Sequence, residues 1–191
     1  MTEDNRKYNN FRITVPSEFE TVFSHFYQAE NKSNESITKT LLPSYQTILV
    51  FNFGANAIFF SNQNTQITID KCLILGPIKQ AIKYTLPAHC EILVANFKDD
   101  AFYRFFGHAS VAENLPIRPD DLLEENCFTS LWHELEKIND TTKRTNYILE
   151  FCKPYLKTRN PIAAQLINFI DQTLNPVKTV AIELYQSERK V

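Results

Sequence analysis

QTILVFNFG (residues 46–54) and HCEILVANF (residues 89–97) are the two segments that decide the fold of this chain. Both are short apolar runs rich in branched and aromatic side chains, a composition that favours strands. Five similar runs surround them, ITKTLLP, AIFFS, QITID, CLILG and AIKYTLP, with turn formers such as Gly76-Pro77 between them. Short strands at roughly 8–12-residue spacing are typical of an antiparallel sandwich or barrel. No long helical segment alternates with them, which argues against a parallel α/β sheet.

Helical spacing appears once before the second half of the chain. The segment 17–29 carries four apolar residues at helical intervals, Phe19, Val22, Phe23 and Phe26, so it is predicted to be a short helix. From Asp99 onward the helical period dominates. AFYRFF (101–106) is predicted to be a short helix that Gly107 ends.

Three longer helical patterns follow Gly107. One runs from Phe128 to Ile138 and a second from near Asp140 to Leu156, where Pro154 is expected to kink or end the helix. Asn160-Pro161 then opens a third. The predicted fold class is therefore α+β, with an N-terminal β-barrel or sandwich and a helical region after it.

Composition excludes several classes of function. The chain has 191 residues, a net charge of −2 and only 3 glycines. The charge argues against a domain that coats nucleic acid, and too few glycines are present for a Gly-rich phosphate loop. Because the N-terminus is polar and no run of about 18 apolar residues occurs, we expect a cytoplasmic protein that does not enter a membrane.

Metal and nucleophilic chemistry find little support in the sequence. The four cysteines form no CxxC pair and are predicted to be buried thiols: Cys72, Cys90, Cys127 and Cys152. The four histidines form no H-x-H pair and fall on different elements, so no metal site and no cofactor are predicted. Cys90 follows His89 directly, and adjacent side chains of a strand point to opposite faces. No catalytic residue is therefore predicted, and we expect that the protein is not an enzyme.

The end of the chain, VKTVAIELYQSERKV (177–191), has the pattern of a helix-turn-helix that stops early. Asn175 and Pro176 suit the start of a helix, and four residues of the next turns form one apolar face: Val177, Val180, Ala181 and Leu184. Ser187 is a good N-cap for a second helix, of which the sequence contains only the residues up to Val191. The second helix of such a motif enters the DNA major groove.

The whole order of elements resembles the AraC-type transcription regulators. In the tail, Ala181 stands where such motifs keep a small residue, and Ser187-Glu188-Arg189 is similar to the S-x-R that opens the second helix. The usual turn glycine is absent, with Tyr185 in its place. The segments LVFNFG, ILGPIKQ and FKDDAFYRFFG also look like the N-terminal sensory domain of one branch of this family.

The resemblance implies a division into three parts. Residues 1–107 would form a cupin-like sensory barrel, 108–174 linker and dimerisation helices, and 175–191 a partial helix-turn-helix truncated in its second helix. Ser187, Arg189 and Lys190 would begin the DNA-reading helix, so DNA would bind through the full-length protein only. A homodimer and a small-molecule effector are the other partners that the resemblance implies.

Three polar residues inside the β half are candidates for effector binding. Asn52 interrupts ILVFNF, Asn96 interrupts ILVANF, and Tyr84 lies in AIKYTLP. A ligand pocket needs a few placed polar groups among apolar walls. The alternative is that each residue bonds to backbone at a strand end or bulge.

Other readings of the chain stay open at this point. The apolar stripes of the helices could pack on the barrel or could form a dimer interface. The β half could belong to a cupin-type metalloenzyme, which bound transition metal would reveal. It could also be a stand-alone ligand-binding module without a DNA role.

Overall fold

The computed structural model describes residues 7–60, 65–107, 117–123 and 127–169. The predicted helix-turn-helix at 175–191, with Ser187, Arg189 and Lys190, lies outside these residues. The described part consists of an antiparallel β-sandwich followed by helices, which confirms the predicted fold class.

The sandwich has two antiparallel sheets. The larger has the order β1-β2-β9-β4-β7 and the smaller the order β3-β8-β5-β6. The strands are β1 (Tyr8–Ile13), β2 (Phe23–Asn31), β3 (Ile37–Leu41), β4 (Ile48–Gly54), β5 (Ala57–Phe60), β6 (Gln66–Ile69), β7 (Cys72–Leu75), β8 (Ile82–Leu86) and β9 (Cys90–Phe97). β4 and β9, the two segments that decide the fold, pair with each other at the centre of the larger sheet.

The central strands β4 and β9 of the larger sheet are buried on both faces. On β4, Ile48 and Val50 belong to the core between the two sheets. The residue between them, Leu49, points to the opposite face and is also buried. We call the side toward the smaller sheet the inner face and the opposite side the outer face. Because β4 and β9 are apolar on both faces, their sequences show no alternation of apolar and polar residues.

The predicted helix at 17–29 is wrong. Ser17–Phe19 is a single 3-10 turn, and the segment after it is strand β2. The register of β2 against β9 shifts between Phe23 and His25, as at a β-bulge. An irregularity of this kind lets two aromatic residues three positions apart, Phe23 and Phe26, both be fully buried. Their spacing therefore imitates the period of a helix.

The helices are α1 (Ala101–Phe106), α2 (Cys127–Glu136), α3 (Thr141–Cys152) and α4 (Pro161–Phe169). Local sequence signals mark the end of α1, both ends of α3 and the start of α4. Gly107 ends α1 in the left-handed conformation, with φ of 74°. The Asp140 carboxylate accepts a hydrogen bond from the Lys143 N–H at 2.7 Å and so caps α3. α3 ends before Pro154, as predicted.

Aromatic residues cover the outer face of the larger sheet. The Phe97 ring of β9 lies 5.6 Å from the Phe102 ring of α1. Phe106 of α1 lies 5.8 Å from Phe128 of α2. The Trp132 indole stacks on Phe53 of β4 and donates a hydrogen bond to the Asn52 carbonyl at 2.7 Å. The apolar stripe of α2 thus packs on the β-sandwich, which is one of the two alternatives that the sequence left open.

Two compact units divide the chain. The first, Met1–Tyr155, contains both sheets together with α1, α2 and α3, and the second is Leu156–Val191. The sequence predicts boundaries after residues 107 and 174, between a sensory part, a dimerisation part and a DNA-reading part. This functional division stays a prediction. Among the described residues, no helix is long and apolar enough to cross a membrane.

Candidate functional site

A cavity of about 390 Å³ opens at one end of the sandwich, between the inner faces of the two sheets. Its volume lies within the range of about 300–1,000 Å³ that is usual for small-molecule sites. The lining residues come from seven strands and from the segment before β4: Arg12, His25, Tyr27, Thr40, Leu41, Leu42, Pro43, Ser44, Gln46, Ile48, Phe59, Tyr84, Ile92, Val94 and Asn96. Buried aliphatic and aromatic side chains form the floor, and exposed residues form the mouth.

The strand register brings the polar residues of the cavity together. Directly paired residues of antiparallel strands lie side by side on one face. Arg12 pairs with Tyr27, and Tyr27 pairs with Val94. In the next row, His25 pairs with Asn96 and Asn96 with Ile48. These rows give the cavity a polar end built on rigid strands.

The phenols of Tyr8, Tyr27 and Tyr84 form a cluster, in which Tyr27 and Tyr84 line the cavity. The hydroxyls of Tyr8 and Tyr27 are 3.1 Å apart, within hydrogen-bond distance. The Tyr84 ring stacks on Phe59 with 5.5 Å between centroids. Burial raises the pKa of Tyr8 and of Tyr84 to about 12, and it also raises the pKa of Tyr27. All three phenols are therefore neutral at physiological pH and can each donate one hydrogen bond.

The cavity has one permanent charge, which is positive. Arg12 lies exposed at the mouth, and no lining residue described by the structure is an Asp or a Glu. Burial lowers the pKa of the His25 imidazole, and the nearby Arg12 guanidinium lowers it further. Since the ordinary pKa of histidine is about 6.5, His25 is largely neutral at physiological pH. Arg12 thus supplies the positive charge at the mouth, with the imidazole beside it.

Two of the three predicted effector residues line this cavity. Tyr84 lies on its floor, and Asn96 lies beside His25, whose carbonyl is 3.4 Å from the Asn96 amide nitrogen. Effector binding by these two residues stays a prediction.

Asn52 does not line this cavity. Its amide group is fully buried, donates to the Ala55 carbonyl at 3.2 Å, and accepts from the Ala57 N–H at 3.0 Å. The Cys90 thiol also donates to it, at 3.4 Å. Asn52 thus holds the β4–β5 turn in place, which is the alternative reading that the sequence offered.

Arg12, His25 and Tyr27 were missed by the sequence analysis. Arg12 lies in a short stretch that alternates apolar and polar residues, FRITV (11–15), but it enters the site only because β1 pairs with β2. His25 and Tyr27 lie in the segment predicted as a helix. The alternation of His25 and Tyr27 with buried neighbours was the available signal, and the bulge after Phe23 disguised it.

Three of the four thiols are poor nucleophiles. Burial raises the pKa of Cys72 and of Cys90 to about 12, and it raises the pKa of Cys152. These three thiols are buried, as predicted, while Cys127 is partly exposed. A thiol that stays protonated at physiological pH attacks substrates slowly. Within the described ranges, no group of three or more His, Cys, Asp or Glu residues could hold a metal ion.

A second arginine lies on the outer face, in a polar cleft of about 330 Å³ that Glu91, Glu136 and Arg144 help to line. The buried Arg144 guanidinium forms an ion pair of 2.7 Å with Glu91 and donates to the Leu135 carbonyl at 3.0 Å. It also lies 3.9 Å from the centre of the Phe53 ring. Arg144 is therefore satisfied within the chain and attaches α3 to the sheet.

Comparison with known proteins yields distant structural likeness only. No protein-family model matches this sequence, and no curated protein matches it. An RmlC-like cupin protein from Desulfovibrio desulfuricans is similar in structure at a TM-score of 0.38 and 10% identity, over 51% of this chain and 88% of that one. The cupin domain of an XRE-family transcriptional regulator from Enterobacter cloacae gives 0.38 and 7%, over 48% and 98%.

A third similar structure is an HTH_3-family transcriptional regulator from Vibrio cholerae, at a TM-score of 0.38 and 5% identity. The match covers 51% of this chain and 55% of that one. These likenesses are too distant to assign the chain to a family or to an activity. The class that the structure itself defines is an antiparallel β-sandwich, with helices over one face and a cavity between its sheets.

Proposed function

We propose that this protein is the sensory part of a bacterial AraC-type transcription regulator and that the cavity between its sheets holds the effector. The cavity is the observation on which the proposal depends. It combines an apolar floor with hydrogen-bonding groups from β2, β8 and β9 at one end. A site of this composition suits reversible binding of a small molecule.

The construction of the sheet supports a sensory role. Val94 and Asn96 of β9 line the cavity, whereas Leu93 and Phe97 of the same strand belong to the outer face. A ligand that displaces β9 would therefore disturb the contact between Phe97 and the helix α1. A ligand regulates only if it binds one arrangement of the protein better than another. β9 offers such a link between the cavity and the helices.

The proposed output is DNA binding through the tail. Ser187, Arg189 and Lys190 would begin the DNA-reading helix in the full-length regulator, whose helices would also form a homodimer. What supports this part is the resemblance of the tail sequence to the family motif.

Sequencing of genomic DNA fragments retained by the purified product of the whole gene tests this proposal. We expect a small set of fragments to be enriched, and we expect their occupancy to change when a cavity ligand is added. A double variant, Arg189→Ala with Lys190→Ala, should lose the enrichment while it binds the ligand normally. The control Lys143→Ala removes a positive charge from α3 and should retain the same fragments.

Two results would contradict the proposal. One is the absence of any enriched fragment, which would favour a ligand-binding module without a DNA role. The other is an occupancy that no cavity ligand and no cavity variant alters, which would remove the sensory role.

A further inference from the structure

We infer that the cavity takes a small organic anion, a carboxylate on an apolar body, whose charged group lies at the mouth between Arg12 and His25. This inference rests on the proposed function because it names the ligand class of the same cavity. Its basis is the distribution of charge and polarity around the cavity.

The charge distribution is one-sided. Arg12 lies at the mouth, no acidic side chain belongs to the described lining, and within the described residues no carboxylate pairs with the Arg12 guanidinium. Arg144 on the outer face differs, because its guanidinium forms an ion pair with Glu91 and donates a hydrogen bond to a backbone carbonyl. A planar guanidinium presents paired donors that match a carboxylate. An anion at the mouth would give Arg12 the partner that Arg144 already has.

The neighbours of Arg12 fit the same ligand. His25 accepts or donates at one nitrogen toward Ser24, with 3.0 Å between Ser24 Oγ and His25 Nδ1. The imidazole can take a proton when an anion lies beside it, because a nearby negative charge favours its charged form. The Asn96 amide and the Ser44 hydroxyl, which also line the cavity, add neutral hydrogen-bonding groups.

The floor of the cavity determines the rest of the ligand. Ile48, Val94 and Phe59 are buried and line the cavity, so an apolar chain or ring is favoured there. The neutral phenols of Tyr27 and Tyr84 can donate a hydrogen bond to an oxygen of the ligand body. A cationic ligand would face Arg12 without any acidic partner and is disfavoured.

Calorimetric titration with matched compounds tests the inference. Two series of compounds are used, and within each series the apolar part is constant while the head group is an acid, an amide or an amine. The linear series is octanoate, octanamide and octylamine. The aromatic series is 3-phenylpropionate, its amide and 3-phenylpropylamine. We expect at least one acid to bind roughly tenfold more tightly than its amide at low salt, and no amine to bind more tightly than its acid. The preference for the acid should shrink at high salt because Arg12 is exposed.

Three variants locate the effect. Arg12→Gln should remove the preference for the acid over the amide, while Arg12→Lys should retain part of it. Lys143→Gln alters the net charge by the same amount on α3 and should change neither affinity. Circular dichroism of each variant checks that it is folded.

The inference is overturned if no acid binds, if the tightest-binding acid binds no more tightly than its own amide or amine, or if Arg12→Gln keeps the preference. These outcomes are separate from failure of the proposed function. An acid that binds through Arg12 without any effect on DNA occupancy would refute the regulator and keep the anion site. A regulator that responds to neutral or cationic ligands would refute the anion site alone.

Discussion

The inner and outer faces of the five-stranded sheet are built from the same strands but differ in what covers them. On the outer face, rings of α1 and α2 pack on Phe97 and Phe53, and the buried Arg144 is paired with Glu91. On the inner face, the smaller sheet leaves a cavity of about 390 Å³ with Arg12 at its mouth. Close packing therefore stabilises the fold on the outer face, whereas incomplete packing on the inner face leaves room for a ligand.

The largest expected effect is the loss of an aromatic ring from the outer face. Phe128 is fully buried, and its ring lies 5.3 Å from Phe151. Phe128→Ala should lower the free energy of unfolding by about 3–5 kcal/mol, because it removes apolar contacts and leaves a void. Urea denaturation with a common m value measures the change.

Phe59 is the matched residue on the inner face. Its ring is 2% exposed and already borders the cavity, so it has fewer partner atoms to lose. Phe59→Ala should therefore cost less than Phe128→Ala. An equal or larger loss at Phe59 would contradict the distinction between a closed outer face and an open inner face.

The next effect concerns the attachment of α2 to the sheet. Trp132→Phe removes the buried hydrogen bond from the indole N–H to the Asn52 carbonyl. Leaving that carbonyl without its donor should destabilise the protein by about 1–3 kcal/mol. Tyr147→Phe, at a side chain that is 44% exposed, should change stability by no more than about 0.5 kcal/mol. Thermal and urea unfolding of both variants would settle whether the indole bond matters.

On the inner face, a small change should affect binding more than folding. Tyr84→Phe removes a hydroxyl from the cavity. The affinity for the tightest-binding acid should fall about fivefold, which corresponds to about 1 kcal/mol of binding free energy. Calorimetry measures the affinity. The control Tyr103→Phe, on the exposed side of α1, should leave the affinity unchanged. If the two variants bind equally well, the phenol takes no part in the site.

The smallest expected effect is the pH dependence of acid binding. The pKa of free His25 lies below its ordinary value, and a bound carboxylate would raise it. A group whose pKa rises on binding makes binding tighter as the pH falls through that range, so affinity should increase a few-fold between about pH 7.5 and 5.5. The groups that face His25 are the Arg12 guanidinium and the uncharged side chains of Ser24 and Asn96. His25→Gln should flatten the profile, and an unchanged slope would exclude His25 from the anion site.

Local signals predicted much of the fold. The apolar runs predicted strands β3 to β9. Gly107 predicted the end of α1, and Asp140 predicted the start of α3. Each of these signals acts within a few residues, so no knowledge of the tertiary structure is needed to interpret it.

The rest depends on contacts between distant segments. β1 is a polar edge strand that exists because it pairs with β2, and β2 resembled a helix because of its bulge. Tyr84 and Asn96 were identified as site candidates from the sequence, whereas Arg12 and His25 required the strand register. Asn52 looked like the same kind of residue as Asn96, but only the structure shows that the β4–β5 turn uses its amide group.

A crystal structure of the whole chain with the tightest-binding acid tests the central claim most directly. We expect the acid to lie between the two sheets, with its carboxylate about 3 Å from the Arg12 guanidinium and its body against Ile48, Val94 and Phe59. An acid bound on the outer face, or one in the cavity with its carboxylate turned away from Arg12, would contradict it.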